Sequence, residues 1–482
     1  MNKQECAIKY VEDNYLQFNR LRHDIIADKL QVRCAHPIGD RLRAPHDTSV
    51  AGDPAEAKGE RQEQWREMTK HDINSIVCHA AQEYDANITS REVMTALQSD
   101  LIPDVHPLRE YILSLPPFTP DQPDWIDFVA SQVRVRTNNN EDTLIQQPKQ
   151  QITNNIPLAN TASGEGNNPI PSASEPSEHL NISSADRLWR GCFKKWFVAM
   201  VASWMKDEVV NHQVLVLIGK QGIFKTTWLE HLIPPHLRAY ACKLANSNDL
   251  NKDERLRIAE FGLISLDEID SMNNRELNQL KSVITATDVN ERAAYAYTKE
   301  RRVRLASFCA SGNRRDFLTD ITGNRRWLPF EVESIQNPFY TLLPYERMYA
   351  QAWALAQDPL FSYWFDLEEI EVMEQHNQYF RDESNEEQLL PILFDVPAEG
   401  RGEFMTTAQI SERLVTYGNI KQPMALCRLG MVLGKAGFRA VTRKAGSGRA
   451  RGWIVYQRDN DEIKALRRLL KDETSQLDTA IY

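Results

Sequence analysis

The sequence predicts an α/β fold with a parallel-sheet core, a mostly helical N-terminal region before it and a helix, helix, hairpin unit after it. Three observations carry that prediction. Apolar runs at "QVLVLIG" (213–219), "FGLISLDE" (261–268) and "RLASFCASGN" (304–313) each end in a polar group and are separated by helical stretches. That is the pattern of a buried parallel sheet with its ligand site at the carboxyl ends of the strands. Upstream, "SREVMTALQSDL" (90–101) and "HPLREYILSL" (106–115) place apolar residues at helical spacing after a Ser cap and after Pro103. Downstream, "TTAQISERL" reads as a Thr-capped helix and "PMALCRLGMVLGKAG" as a second helix with Gly at its end, while "FRAVTRKAGSGRARGWIVYQ" reads as two strands joined by a Gly-Ser turn.

In chain order, residues 1–136 form the mostly helical region, with a few strands expected around 14–35 and loop over 44–62. From Thr137 to Ser184 the chain is rich in Asn, Gln, Ser and Pro and nearly free of aromatics. Such a segment cannot bury enough apolar surface to offset its ordering entropy, so a disordered linker or insertion is expected. Ser183 or Ser184 then caps a helix through "ADRLWRGCFKKWFVAMVASWMKDE", whose aromatic stripe is expected to pack in the core. The sheet domain is expected over 185–360, a helical connector over 361–403, and the last unit over 404–482.

A chain of 482 residues, 42% of them hydrophobic, is long enough for two to four cores. The longest apolar stretch, "WFVAMVASWM" (196–205), is too short to span a bilayer, and a soluble, cytoplasmic protein is expected. Seven cysteines at 6, 34, 78, 192, 242, 309 and 427 include no CxxC pair, which argues against a disulfide framework and a zinc site. The net charge of −10 excludes a wholly basic nucleic-acid coat but not a local basic patch.

The loop after the first apolar run reads Gly219-Lys220-Gln221-Gly222-Ile223-Phe224-Lys225-Thr226. Phosphate binding needs backbone N–H groups pointing inward, a lysine that reaches the β and γ phosphates and a hydroxyl for magnesium. Lys225 and Thr226 meet the last two needs, Thr227 follows them, and Gly219 and Gly222 let the loop curl. Phe224 stands where the P-loop pattern G-x-x-x-x-G-K-[ST] has its second glycine, and its Cβ restricts the backbone. The second run ends in Asp267-Glu268, adjacent carboxylates of which one can hold magnesium through water and the other can polarise an attacking water. The third ends at Asn313, placed to contact the γ-phosphate or the attacking water. Arg325 and Arg326, before another apolar run, are candidates for an arginine that reaches a neighbouring subunit's phosphate, with no choice between them.

Taken in order, "GKQGIFKTT", "LISLDEID", "ASGN" and "DFLTDITGNRRWLPF" resemble the virulence-associated E family, AAA+ proteins similar to the superfamily 3 helicases of viruses, phages and mobile elements. The match covers about 185–335, and "SDLIPDVHPLREYILSLPPF" resembles the family's segment upstream. The resemblance implies an AAA+-like P-loop core in a homo-oligomeric ring, with six subunits expected, that uses ATP and Mg2+ to unwind DNA at a replication origin, with a primase or other replication partner. By position it gives Lys225 and Thr226 the Walker A roles, Asp267 the metal and Glu268 the catalytic carboxylate of Walker B, Asn313 the first sensor, and Arg325 or Arg326 the finger.

Two basic patches point to DNA. In "NERAAYAYTKERRVR", Arg292, Lys299, Arg301, Arg302 and Arg304 interleave with Tyr295 and Tyr297, in the interval where superfamily 3 rings carry a pore hairpin for single-stranded DNA. Arg439, Arg443, Lys444, Arg449 and Arg451 lie within 438–457 without an acidic residue, as a wing on duplex DNA requires. The last unit has the order of a winged helix. The sequence thus predicts an ATP-dependent DNA helicase or replication initiator of a phage-like or integrated mobile element. The alternative is a nucleotide-dependent DNA-binding switch in which ATP sets assembly and no strand is separated.

Overall fold

The computed structural model describes residues 2–34, 64–136, 183–244, 257–291, 300–318, 324–398, 402–445, 448–466 and 468. The described residues fall in two units, one within Met1–Asn313 and Arg326–Glu371, the other within Arg314–Arg325 and Val372–Tyr482. The linker expected over 137–184 and the loop expected over 44–62 lie almost wholly outside the described residues.

The first unit opens with helix α1 (Lys3–Val11), started by a reciprocal cap between Asn2 and Glu5. Strands β1 (Leu21–Asp24), β2 (Lys29–Cys34) and β3 (Gln64–Glu67), helices α2 (Lys70–Glu83) and α3 (Ser90–Leu97) and strand β4 (Asp104–Val105) follow. Their sheet order is β3-β2-β1-β4, with β1 antiparallel to β2 and parallel to β4. Tyr10, Leu21, Ile76, Val93 and Leu97 close a core between helices and sheet. Strands β1 and β2 lie where a few strands were expected, whereas β3 and the two-residue β4 are too short to show an alternating pattern in the sequence.

Helices α4 (Pro107–Ser114) and α5 (Trp125–Ala130) and strand β5 (Val133–Val135) lead to helix α6 (Ser184–Met205). Ser183 caps α6 by accepting from the Asp186 N–H, and Trp189, Phe193, Trp196, Phe197 and Trp204 along it are fully buried. Burying each such side chain stabilises the fold by roughly 1.5–3 kcal/mol. The indole N–H groups donate to backbone carbonyls, Trp189 to Ala130 at 2.9 Å, Trp196 to Phe308 at 3.1 Å and Trp204 to Gly262 at 3.1 Å. The aromatic stripe is a core feature, as expected.

The sheet under α6 comprises β6 (Val214–Ile218), β7 (Ala241–Leu244), β8 (Leu263–Leu266), β11 (Ser307–Gly312) and β12 (Trp327–Ile335), with helix α7 (Lys225–His231) after β6. Between β8 and β11 lie helix α8 (Asn274–Thr285) and the antiparallel strands β9 (Asp288–Glu291) and β10 (Glu300–Val303). Its order is β5-β12-β6-β11-β8-β7, with every pair parallel except β5 on β12. Strands β6, β8 and β11 are buried along their whole length, which is why they read as unbroken apolar runs. Helix α9 (Tyr345–Gln357) closes the unit's layer of helices, and α10 (Leu367–His376) follows.

In the second unit, helix α11 (Asn385–Leu393), strands β13 (Phe394–Asp395) and β14 (Glu403–Met405), helices α12 (Thr407–Gly418) and α13 (Leu426–Lys435), and strands β15 (Arg439–Ala445) and β16 (Gly448–Gln457) share one core. Leu390 and Leu393 of α11 pack with Ile410, Leu414, Leu429, Leu433 and Val455, so this unit begins upstream of Phe404. Among the described residues no helix is long and apolar enough to cross a membrane.

Candidate functional site

The carboxyl ends of β6, β8 and β11 bring the predicted residues to one cavity of about 330 Å3, lined by Gly222, Phe224, Lys225, Thr226, Thr227, Asp267, Glu268, Ser311 and Asn313 among others. The loop from Gly219 curls because two glycines permit it. A Cβ on Gly219 would lie 2.6 Å from the Val332 carbonyl oxygen, and Gly222 has φ +86°, a left-handed backbone. Phe224 also takes the left-handed region, at φ 67° and ψ 17°, immediately before α7. Phenylalanine has thus adopted the backbone that the missing glycine would have used.

That conformation singles the cavity out. Of the non-glycine residues with positive φ among those described, four are Asn or Asp and the other two are Phe224 and Glu268. Asn and Asp visit the left-handed region readily, whereas other residues pay for it and persist there where the surroundings over-determine them. Both exceptions line this cavity.

The Lys225 ammonium is held over the loop, donating to the carbonyls of Gly219 and Lys220 at 2.7 Å each and to Asn313 Oδ1 at 3.3 Å. Burial lowers its pKa from the ordinary lysine value although Asp270 and Asp267 oppose the shift. Thr226 Oγ1 lies 3.2 Å from Asp267 Oδ1 and 2.8 Å from Ser311 Oγ, and the Ser311 hydroxyl donates to the same Asp267 oxygen at 2.9 Å. Asp267 Oδ2 instead meets Lys243 Nζ on β7, at 2.9 Å. Burial raises the Asp267 pKa, but the bonds from Lys243, Ser311 and Thr226 outweigh it and leave the carboxyl below its usual range. Glu268 is exposed at the rim, and the Asn313 N–H donates to Asp270 Oδ1 at 3.2 Å.

Hydroxyl and carboxylate oxygens side by side suit a hard divalent cation. Among the described residues no group of three or more His, Cys, Asp or Glu stands together. The oxygens of Thr226, Ser311 and Asp267 are of the kind that magnesium takes, with waters filling the rest of its shell.

Ser311, Lys243 and Asp270 are additions to the predicted set. Ser311 left a faint trace, a hydroxyl near the end of a buried apolar strand two residues before Asn313. Arg325 and Arg326 sit on a short 3-10 turn, Asn324–Arg326, the first exposed and the second half-buried. Arg326 is not among the residues that line the cavity.

Of the first basic patch, Arg292, Tyr295, Tyr297 and Lys299 lie outside the described residues. Arg301 is exposed on β10 and pairs with Asp288 at 2.9 Å. Arg302 is mostly buried between Asp28 at 3.1 Å and Glu260 at 3.7 Å. Arg304 must be removed from the patch: it is 1% exposed, and its guanidinium donates to the carbonyls of Asn211 (2.9 Å), Ala306 (3.0 Å), Ala286 (3.3 Å) and Ile284. Its position in the buried connection from β10 to β11, just past the end of the hairpin, accounts for the difference.

In the second patch, β15 pairs with β16 so that Lys444 opposes Arg449 and Thr442 opposes Arg451. Directly opposed residues share a face and alternate residues along a strand return to it, so Lys444, Arg449 and Arg451 lie on one side. Arg439 and Arg443 lie on the other, where the Arg443 guanidinium sits 5.1 Å from the Phe404 ring centre. All five cations are exposed.

With this geometry in place, the family model described as the virulence-associated protein E-like domain matches residues 174–388. That stretch of the chain is similar to the virulence-associated protein E-like domain. Its residues include the whole cavity, both arginines of the 3-10 turn and the start of α11. No curated protein matches the chain. Among solved structures, apo forms described as the NrS-1 C terminal region are similar over most of the chain. One has 10% identity and a TM-score of 0.41, covering 92% of this chain and 98% of its own. Two others, at 11% and 10% identity with TM-scores of 0.40 and 0.42, cover 94% and 93% of this chain and 100% of theirs.

Proposed function

We propose that the chain is an ATP-dependent DNA helicase or replication initiator of a mobile element, in which an oligomeric ring couples hydrolysis to strand separation. One observation carries this reading: Thr226 and Asp267, from two different strand ends, converge on Ser311 beneath the Lys225 ammonium. Such an all-oxygen corner beside a backbone-held lysine is what a nucleoside triphosphate with magnesium requires.

In this reading Lys225 draws the β and γ phosphates into the loop, and Thr226 and Asp267 hold magnesium. The metal, when bound, neutralises charge that builds on the phosphates. Glu268, at the exposed rim, takes the proton of the attacking water, and Asn313 orients that water or the γ-phosphate. Arg325 or Arg326 of a neighbouring subunit completes the charge. The left-handed backbone of Phe224 favours a loop of the usual curl despite the missing glycine, so turnover is preferred over the switch.

The second unit follows the winged-helix order of helix, strand, two helices and two strands, in α11, β14, α12, α13, β15 and β16. We assign its exposed cations Arg443, Lys444, Arg449 and Arg451 to duplex DNA, and the β9–β10 hairpin with Arg301 to a single strand. Glu268→Gln tests the hydrolytic assignment, because the variant should bind ATP and no longer cleave it. Normal turnover would remove Glu268 from the role.

A further inference from the structure

A ring cluster that takes no part in hydrolysis flanks the nucleotide cavity. Phe224, which lines it, meets the ring of Phe339 edge to face, with centroids 6.3 Å apart and planes at 81°. His231, one turn along α7 from Thr227, meets the same Phe339 ring at 5.5 Å and 86°. Phe339 is nevertheless 66% exposed, far more than an aromatic in a core.

The segment that carries it is built rather than loose. Asn337 Oδ1 accepts the Phe339 N–H at 3.0 Å, and the Asn337 carbonyl accepts those of Tyr340 at 3.1 Å and Thr341 at 3.2 Å. The ring below is fixed as well: His231 Nδ1 donates to the Thr227 carbonyl at 2.7 Å, and the His231 carbonyl accepts the Tyr345 hydroxyl at 2.7 Å. Two rings hold Phe339 edge-on and leave most of its surface to solvent, next to a cavity shaped for phosphates.

We propose that Phe339, braced by Phe224 and His231, is the platform on which the base of the bound nucleoside triphosphate stacks. This inference rests on the nucleotide reading of the cavity. It also gives Phe224 a purpose: the side chain that costs a left-handed backbone supports the ring that takes the base. Continuity identifies the occupant, since Phe224 and Thr227 touch the phosphate cavity on one side and the Phe339 cluster on the other. A ligand with phosphates at one end and a flat π-face at the other spans both. Stacking reads a π-face and not a hydrogen-bond pattern, so discrimination between bases is weak at this platform.

The test compares full-length wild type with Phe339→Ala and Phe339→Tyr, titrated with ATP and with inorganic tripolyphosphate in the presence of magnesium. Phe339→Ala should weaken ATP binding about tenfold, the loss expected for one base stacked on one ring, and leave tripolyphosphate binding unchanged. Phe339→Tyr should keep wild-type ATP affinity. Equal ATP affinity in wild type and Phe339→Ala, with tripolyphosphate still bound, would overturn the platform and spare the phosphate site. A parallel loss of both ligands in Phe339→Ala would also overturn it, since the ring would then be shaping the loop. Binding of neither ligand by wild type would overturn the platform together with the nucleotide reading beneath it.

Discussion

Lys243 Nζ and Asp267 Oδ2 lie 2.9 Å apart, while the other oxygen of the same carboxylate takes the hydroxyls of Thr226 and Ser311. The lysine therefore fixes the rotation of Asp267 and leaves Oδ1 directed at the proposed metal corner. Lys243→Met should raise the magnesium concentration needed for half-maximal ATPase activity several-fold, with turnover at saturating magnesium near that of wild type. An unchanged magnesium profile would show that Asp267 needs no such support. The ion pair is about half exposed on the lysine side, so less than about 1 kcal/mol of stability is expected to go with it.

Phe224 sits at φ 67°, a region that costs a residue with a Cβ about 1 kcal/mol and a glycine nothing. Phe224→Ala keeps the strain and loses the ring. Phe224→Gly loses the ring and the strain together. Glycine should therefore give the more stable of the two variants by a few tenths to about 1 kcal/mol in denaturant unfolding, reversing the usual order of alanine over glycine. Alanine as the better replacement would contradict the left-handed assignment.

His106 caps α4 with its Nδ1 as acceptor for the Arg109 N–H at 3.2 Å, and burial, aided by the Arg109 charge, lowers its pKa to about 4. Above the unfolded value of about 6.5 the ring is neutral in both states and adds nothing to the pH dependence. Below it the unfolded chain binds a proton that the folded chain refuses, so stability falls until about pH 4. The loss should reach roughly 2–3 kcal/mol. His106→Asn, which keeps a capping acceptor without a proton to bind, should lose less stability than wild type between about pH 7 and about pH 5. Parallel curves would contradict the buried neutral state.

Arg304 donates its hydrogen bonds to backbone carbonyls, its guanidinium lies 5.1 Å from the Phe308 ring centre, and burial lowers its pKa to about 9, which still leaves it charged at neutral pH. Arg304→Met should cost at least about 3 kcal/mol, because several buried acceptors lose their donor at once. Thermal unfolding is sufficient to read a loss of that size. A cost below about 1 kcal/mol would place the side chain in solvent.

The parts of the fold that the sequence made legible are those where burial is complete. Strands β6, β8 and β11 are covered on both faces, so their apolar runs are continuous, and the groups that follow them, Lys225, Asp267 and Asn313, reach one cavity. Strand β7 is a four-residue edge with a lysine in it, and nothing in "ACKL" distinguishes a strand from a loop or Lys243 from a surface charge. Ser311 was hidden by its neighbours, because one hydroxyl in a buried run reads as tolerated rather than used. Charge alone misled at Arg304, which sequence spacing groups with Arg301 and Arg302 although the chain has already turned from hairpin to core. The reach of the second unit back to α11 was equally hidden, since Leu390 and Leu393 meet Ile410 and Leu414 of α12 and Leu429 and Leu433 of α13 only through tertiary packing.

The measurement that tests the central claim most directly is steady-state ATP hydrolysis by the purified chain, with and without single-stranded DNA, beside Lys225→Ala. Turnover that DNA stimulates and the variant lacks is the predicted result. No turnover under either condition, with ATP still bound by the wild-type chain, would contradict the hydrolase and leave a nucleotide-dependent switch in its place.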